Sequence, residues 1–271
     1  MILAELVDRL TSRVGWPRSS KRGASPRSNT ALLMRHVVRL VSISSTQTVA
    51  FELAEQGAAD GTAVVAVTQT AGRVRRGRVW HDVPGDSLLV SIIVRPRLRA
   101  PDLPKLSFAA AIAVAEAIGA TTGLAPRLKW PNDVLVNGRK LAGILLESRI
   151  VVEPIVVAGV GINLRQRRFP DALAGIATSV DLEGGRPVGP EELLEAVLHA
   201  FDRWRTTLEN AGFAPLRARW LDLADTIGRE VTVGDDAGIA VDLAADGALV
   251  LKQAHGFRQV VAGEVTGSRR G

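Results

Sequence analysis

Hydrophobic positions in this chain switch between a helical and a strand period, and the switches mark its elements. Leu3, Leu6, Val7 and Leu10 recur at helical spacing, and residues 17–30, rich in Ser, Arg, Lys and Pro, read as a flexible linker. An apolar run over 37–43 predicts a first strand. Ser44, Ser45 and Thr46 then offer caps for a helix reaching about Gln56, with Val49 and Leu53 on one face. Residues 64–67 and 87–94 predict short buried strands. The alanine-rich, almost wholly apolar stretch 106–122 predicts a buried helix closed by Gly123. Residues 127–136 and 139–147 predict paired strands joined through Asn137-Gly138, a strong hairpin signal. Another strand, 155–160, runs into Gly161-Ile162-Asn163.

Pro190 opens a long amphipathic helix through 208, with Leu194, Val197, Leu198, Phe201 and Leu208 as its stripe. A second helix is predicted over 215–223. After Gly228 the pattern changes to short alternating segments separated by Asp235-Asp236, Asp246-Gly247 and His255-Gly256. The expected architecture has three parts: an N-terminal extension (1–33), an α/β (α+β) domain with a mixed sheet flanked by helices (34–224), and a small C-terminal β-barrel (225–271).

Composition narrows the function classes. A chain of 271 residues with 46% hydrophobic and 23% charged residues has ample material for a core. The absence of cysteine excludes disulfides and thiolate metal sites and fits a cytoplasmic protein. The sequence has no run of about eighteen apolar residues and no signal-peptide core over 1–13, so neither a membrane span nor export is expected. His36, His81, His199 and His255 lack metal-ligand spacing, and no Ser-His-Asp arrangement stands out. Asp171, Asp181 and Glu183 read as solvated loop charges. Residues 1–33 are too short for a winged helix-turn-helix, so sequence-specific DNA binding is not expected; the sequence leaves a homodimer open. The net charge of +6 is carried largely by arginine.

Two segments carry candidate chemistry. In the first, Arg73, Arg75, Arg76 and Arg78 fall within six positions, between Gln69 and Trp80, with Gly72 and Gly77 beside them. Guanidinium forks match phosphate and carboxylate oxygens, and glycines let backbone approach a ligand; a solvated basic loop would have the same composition. The second is Lys129-Trp130-Pro131-Asn132-Asp133, followed by Arg139-Lys140-Leu141-Ala142-Gly143-Ile144-Leu145. A lysine at the end of a short strand suits an α-phosphate, although it could equally snorkel to solvent. Gly143 inside an apolar strand implies either a bulge or a flat ligand against the backbone. Gly159 and Gly161 invite the same reading.

Taken in order, these segments resemble the biotin protein ligases, in the form without an N-terminal DNA-binding domain. The resemblance runs from about residue 35 to about residue 262 and includes Gly159-Val160-Gly161-Ile162-Asn163 and Ala177-Thr178-Ser179-Val180. It implies ATP and biotin as substrates, Mg2+ accompanying ATP, a biotinyl-AMP intermediate, and a biotin carboxyl carrier protein domain as partner. Lys129 and Arg75 would be catalytic. Ser45, Thr46, Gln47, Gln69, Gly72, Arg73, Val74, Arg75, Lys129 and Gly143 would bind biotin or its adenylate. Arg76, Arg78, Trp80, Asn132, Lys140 and Asn163 would serve ATP.

The chain departs from the family twice. Gln47 stands where asparagine is usual, and Val74 where the loop has glycine. If position 74 required a positive φ, valine would cost on the order of 1–3 kcal/mol and weaken retention of the adenylate. Three alternatives remain: a lipoate- or octanoate-type ligase of related fold, a biotin-binding relative with impaired ligation, and a basic nucleic-acid-binding module. The first lacks the arginine loop, the second rests on Val74 and Gln47, and the third lacks aromatic interleaving.

Overall fold

A computed structural model of the protein describes residues 36–77, 80–150 and 153–270. The extension expected over 1–33 and Arg78 lie outside them. The larger sheet is built from β1 (Val37–Ile43), β2 (Ala63–Gln69), β3 (Ser87–Val94), β4 (Arg127–Lys129), β5 (Asp133–Val136), β6 (Arg139–Ile150) and β7 (Pro154–Asn163). Its order is β1-β2-β3-β7-β6-β5-β4. Only β1 and β2 pair in parallel; every other neighbouring pair is antiparallel, so the sheet is mixed as expected.

Strand alternation divides this sheet between two tasks. On one face Leu88, Val90, Ile92, Val134, Ala142, Ile144, Val156, Ala158 and Ile162 pack into a large core. That core is closed by α2 (Leu106–Thr122), α3 (Pro190–Ala211) and α4 (Ala214–Leu223). The segment Ala100–Thr122 is long and apolar enough to cross a membrane by composition; here it is the core helix, with Ile112, Val114 and Ile118 fully buried. Gly123, at φ 74, ends it. The opposite face is covered only in part, by α1 (Thr46–Glu55), whose Val49, Phe51 and Leu53 pack on Val38, Leu40, Val64, Ile93 and Val157. The rest of that face is left for a cleft.

Residues 127–136 do not form one strand. The chain reverses at Trp130-Pro131, a cis peptide, and β4 pairs antiparallel with β5. Pro131-Asn132-Asp133 is a turn signal inside the predicted strand, and the chain follows it while Trp130 faces the core. The next turn follows expectation: Asn137 (φ 50) and Gly138 (φ 76) both take positive φ between β5 and β6.

The second sheet contains β8 (Arg229–Val233), β9 (Asp236–Leu243), β10 (Leu249–Gln253), β11 (Gly256–Val260) and β12 (Val265–Arg270), in the order β11-β10-β9-β8-β12. It is antiparallel and open, which corrects the expected barrel. Closure would require β11 to pair with β12. However, β11 has one buried residue, Val260, and projects Phe257 into solvent, so it has no apolar inner face to close upon. The buried residues of this sheet, among them Val231, Val233, Leu249 and Leu251, join the same core as α2. Trp130 is the joint: its backbone N–H donates to Thr226 Oγ1 (2.9 Å) and its Nε1 to Gly247 O (3.1 Å), both buried. Trp130→Phe leaves the Gly247 carbonyl without its donor. We expect about 1–2 kcal/mol lower stability in urea unfolding, with an unchanged slope; no loss would mean that the joint is not needed.

Candidate functional site

The half-covered sheet face presents two cross-strand rows. The first runs Lys129, Asp133, Gly143, Gly161, Leu89 across β4, β5, β6, β7 and β3. The second contains Leu145, Gly159 and Ser91. Glycine recurs at the centre because something lies flat on the backbone there: the Trp80 indole. A Cβ at Gly161 would sit 2.8 Å from its ring, and one at Gly143 3.3 Å. Gly143 itself is not a bulge, since its register with β7 is continuous; the irregularity in β6 lies on the β5 side at Leu141. Trp80 reaches this floor because its N–H donates to Gly72 O (2.8 Å), closing the base of the arginine loop.

Three clefts meet around Val74 and Lys140, and Trp80 lines two of them. A pocket of about 440 Å3 lies on the side of α1, bounded by Ser45, Thr46, Gln47, Gln69, Arg73 and Ser91. A cleft of about 920 Å3 lies on the other side, between Leu135, Asn163, Phe169, Leu173 and Ile176. The third, of about 370 Å3, runs along Lys129-Trp130-Pro131-Asn132 to Gly263 and Glu264 of the second sheet.

The pocket beside α1 ends in a buried polar network. Ser45 caps α1, accepting from Gln47 N (3.3 Å). Gln69 Oε1 accepts from the Thr46 backbone N–H (2.7 Å) and lies 3.1 Å from its hydroxyl. Ser91 bridges Thr46 Oγ1 (2.8 Å) and Gln47 Oε1 (2.9 Å). The Gln47 amide donates to Val157 O (3.0 Å) and Leu145 O (3.4 Å), and a Cβ at Gly159 would meet its Oε1 at 2.6 Å. The extra methylene of Gln47 is therefore accommodated by a glycine opposite.

The cations fall into distinct environments. Lys140 pairs with Asp133 (2.6 Å). Lys129, on β4 beyond Asp133, makes no ion pair or hydrogen bond among the described residues and borders the second and third clefts. Arg73, which lines the α1-side pocket, pairs with Glu147 (2.5 Å). Arg75 donates to Asn132 Oδ1 (3.3 Å), and Asn132 donates to Ile144 O (2.5 Å). Asn163 donates to Thr178 O (2.9 Å), which leaves its buried Oδ1 without a partner among the described residues. Val74 does not have a positive φ; among the described non-glycine residues only Asn137 does. The feared backbone strain is therefore absent, and Gly77 (φ 69) takes the left-handed position instead.

Apart from Arg78, Arg76, whose side chain is not described, and Gly72, which closes the base of the loop without lining a cleft, the site residues named from the sequence gather at these clefts or in the network behind them. The sequence reading missed Ser91, Glu147, Gly263 and Glu264. It also misread Glu183, whose side chain is only 2% exposed. Glu183 pairs with Arg139 (2.8 Å) and accepts from Asn137 Nδ2 (2.7 Å), tying the β5–β6 turn to the 178–183 segment. A lone serine inside the apolar run of β3 was a readable signal for Ser91. The others required the fold.

Known proteins share this fold and much of this sequence. Residues 40–163 match the biotin/lipoate A/B protein ligase family, and residues 226–266 match the biotin protein ligase C-terminal domain. The biotin–[acetyl-CoA-carboxylase] ligase of Paracoccus denitrificans is 38% identical over 237 residues, covering 83% of this chain and 98% of that one. The bifunctional ligase/repressor BirA of Bacillus spizizenii is 35% identical over 244 residues, 87% of this chain and 75% of its own. The biotin protein ligase of Aquifex aeolicus, solved with biotin and ATP, superposes with a TM-score of 0.76 at 28% identity, over 88% of this chain and all of that one. With this architecture, this cleft and these relatives, the chain belongs to the biotin protein ligase family.

Proposed function

We propose that the protein is a cytoplasmic enzyme that joins biotin to ATP as biotinyl-5'-AMP and then passes the biotinyl group to a lysine of a biotin carboxyl carrier protein. The observation that carries this reading is Lys129, an ammonium with no partner among the described residues, where the cleft along Trp130-Pro131-Asn132 meets the larger apolar cleft; both join the α1-side pocket at Val74 and Lys140. Biotin suits the α1-side pocket. Gln69 Nε2, with no partner among the described residues, can donate to the ureido oxygen, while Thr46 lies beside it to accept from a ureido N–H. The Trp80 ring forms an apolar wall for the thiophane. In the larger cleft, the spare Asn163 oxygen suits the amino group of adenine, and Phe169, Leu173 and Ile176 suit its faces.

In the first step a biotin carboxylate oxygen attacks the α-phosphorus and pyrophosphate leaves with the electron pair of the broken P–O bond. Lys129 would neutralise charge on the carboxylate and phosphoryl oxygens, with Arg75 and Asn132 beside it; no general base is required. Magnesium would arrive on the triphosphate and lower its charge. Asp133 and Glu264 put carboxylates at the cleft, a donor set that suits a phosphate-borne ion. In the second step a deprotonated carrier lysine attacks the acyl carbon, and AMP departs with the electrons of the anhydride C–O bond.

ATP-dependent transfer of labelled biotin to a carrier domain tests the reading, and Lys129→Ala should lower adenylate formation by at least about 100-fold. Transfer by neither protein would refute it. Because Val74 is unstrained, Val74→Gly should change the biotinyl-AMP release rate by less than about threefold. A larger effect would return that position to suspicion. Gly161→Ala drives a methyl into the Trp80 ring and should weaken biotin binding about tenfold or more, read by calorimetry. Unchanged affinity would show that the floor tolerates a side chain.

A further inference from the structure

The network behind the α1-side pocket has too few protons. Four buried or half-buried oxygens stand in a line: Gln69 Oε1, Thr46 Oγ1, Ser91 Oγ and Gln47 Oε1, at successive separations of 3.1, 2.8 and 2.9 Å. Three contacts share two hydroxyl hydrogens. Both ends are acceptors, and their orientations are fixed. The Gln47 NH2 faces the carbonyls of Val157 and Leu145, so its oxygen must face Ser91. Gln69 Oε1 faces the Thr46 backbone N–H, so its oxygen must face Thr46.

Burial decides where the two protons go. Gln47 is 2% exposed and its oxygen has no donor but Ser91, so Ser91 donates to it; otherwise a buried carbonyl goes unsatisfied. Ser91 then needs a proton from Thr46 across the 2.8 Å contact. Gln69 Oε1 already accepts from a backbone N–H and can forgo the hydroxyl. The favoured order is therefore Thr46 to Ser91 to Gln47. It leaves lone pairs of Thr46 and Gln69 facing each other at 3.1 Å with no hydrogen between them.

We infer that Ser91 and Gln47 are positioning residues that set the hydrogen-bond polarity of the pocket: they pull the Thr46 proton inward, so that the pocket presents only acceptors there and requires a ligand N–H. An incoming ureido N–H would satisfy both lone pairs at once, whereas an oxygen at the same place would add a third. This rests on the proposal that biotin is the substrate. Specificity of this kind comes from what is left unpaired when the wrong ligand binds.

The test compares biotin with an isosteric analogue whose ureido N–H facing Thr46 is replaced by ring oxygen, a cyclic carbamate, titrated into the full-length protein. The wild type should prefer biotin by about 100-fold or more. In Ser91→Ala, Thr46 can turn its proton to Gln69, and the preference should fall at least tenfold. Ser91→Thr, which keeps the hydroxyl, should restore it to within about threefold. Gln47→Met removes the terminal acceptor without touching Ser91 and should lower the preference in the same direction; it serves if Ser91→Ala does not fold. Unchanged preference in folded Ser91→Ala or Gln47→Met, or no restoration by Ser91→Thr, overturns the inference while leaving the ligase reading intact. A wild type that binds neither compound overturns both.

Discussion

A strand that must bury one face and offer a polar cleft on the other has no freedom of register, and β3, β7 and β6 work under that constraint. A slip of one residue would turn Leu88, Val90 and Ile92 outward and put Ser91 into the core. The long antiparallel ladders prevent the slip: β3 and β7 pair over eight residues, and β6 and β7 over nine. Everything at the site follows from this. The glycines fall on one face in two neighbouring rows, Trp80 has a flat surface to lie on, and Lys129 and Asp133 point the same way as Gly143.

The elements that periodicity could announce were legible: the buried alanine-rich helix, the Asn137-Gly138 turn and the long helix after Pro190. Two features were misread, for separate reasons. The turn at Trp130-Pro131 is signalled by Pro131-Asn132-Asp133, but its tryptophan is buried like a strand residue, so the strand reading passes through it. The barrel was a misreading of alternation. Alternation predicts strands, but closure depends on whether the last edges have faces to bury, and β11 has only Val260.

At the site, residue types at strand ends and in the glycine-flanked loop pointed to the cleft, and the fold brings them together. What sequence could not convey was which partner each one meets. Glu183 looks like any loop carboxylate until the fold sets Arg139 and Asn137 against it. Glu147 reads as the polar position of an alternating strand, yet it is the carboxylate that Arg73 of the arginine loop pairs with. Gly263 and Glu264 lie more than a hundred residues from Lys129 and enter the cleft only because Trp130 ties the sheets together. Position 74 shows the opposite case. A residue type that looked costly carries no positive-φ strain here, because the left-handed turn is taken by Gly77.

The shared core has a consequence for dividing this molecule. The two family matches, 40–163 and 226–266, invite a cut before β8. Such a cut would strip the Trp130 indole of its acceptor and its backbone of Thr226, expose one side of the layer formed by Phe108, Phe213 and Trp220, and remove one wall of the Lys129 cleft. The evolutionary modules are therefore not folding modules. Fragment expression, split reporters or domain exchange at that boundary would yield pieces with unsatisfied interiors, whereas the surface turn at Asp235 or the one at His255-Gly256 offers a break that leaves the core whole.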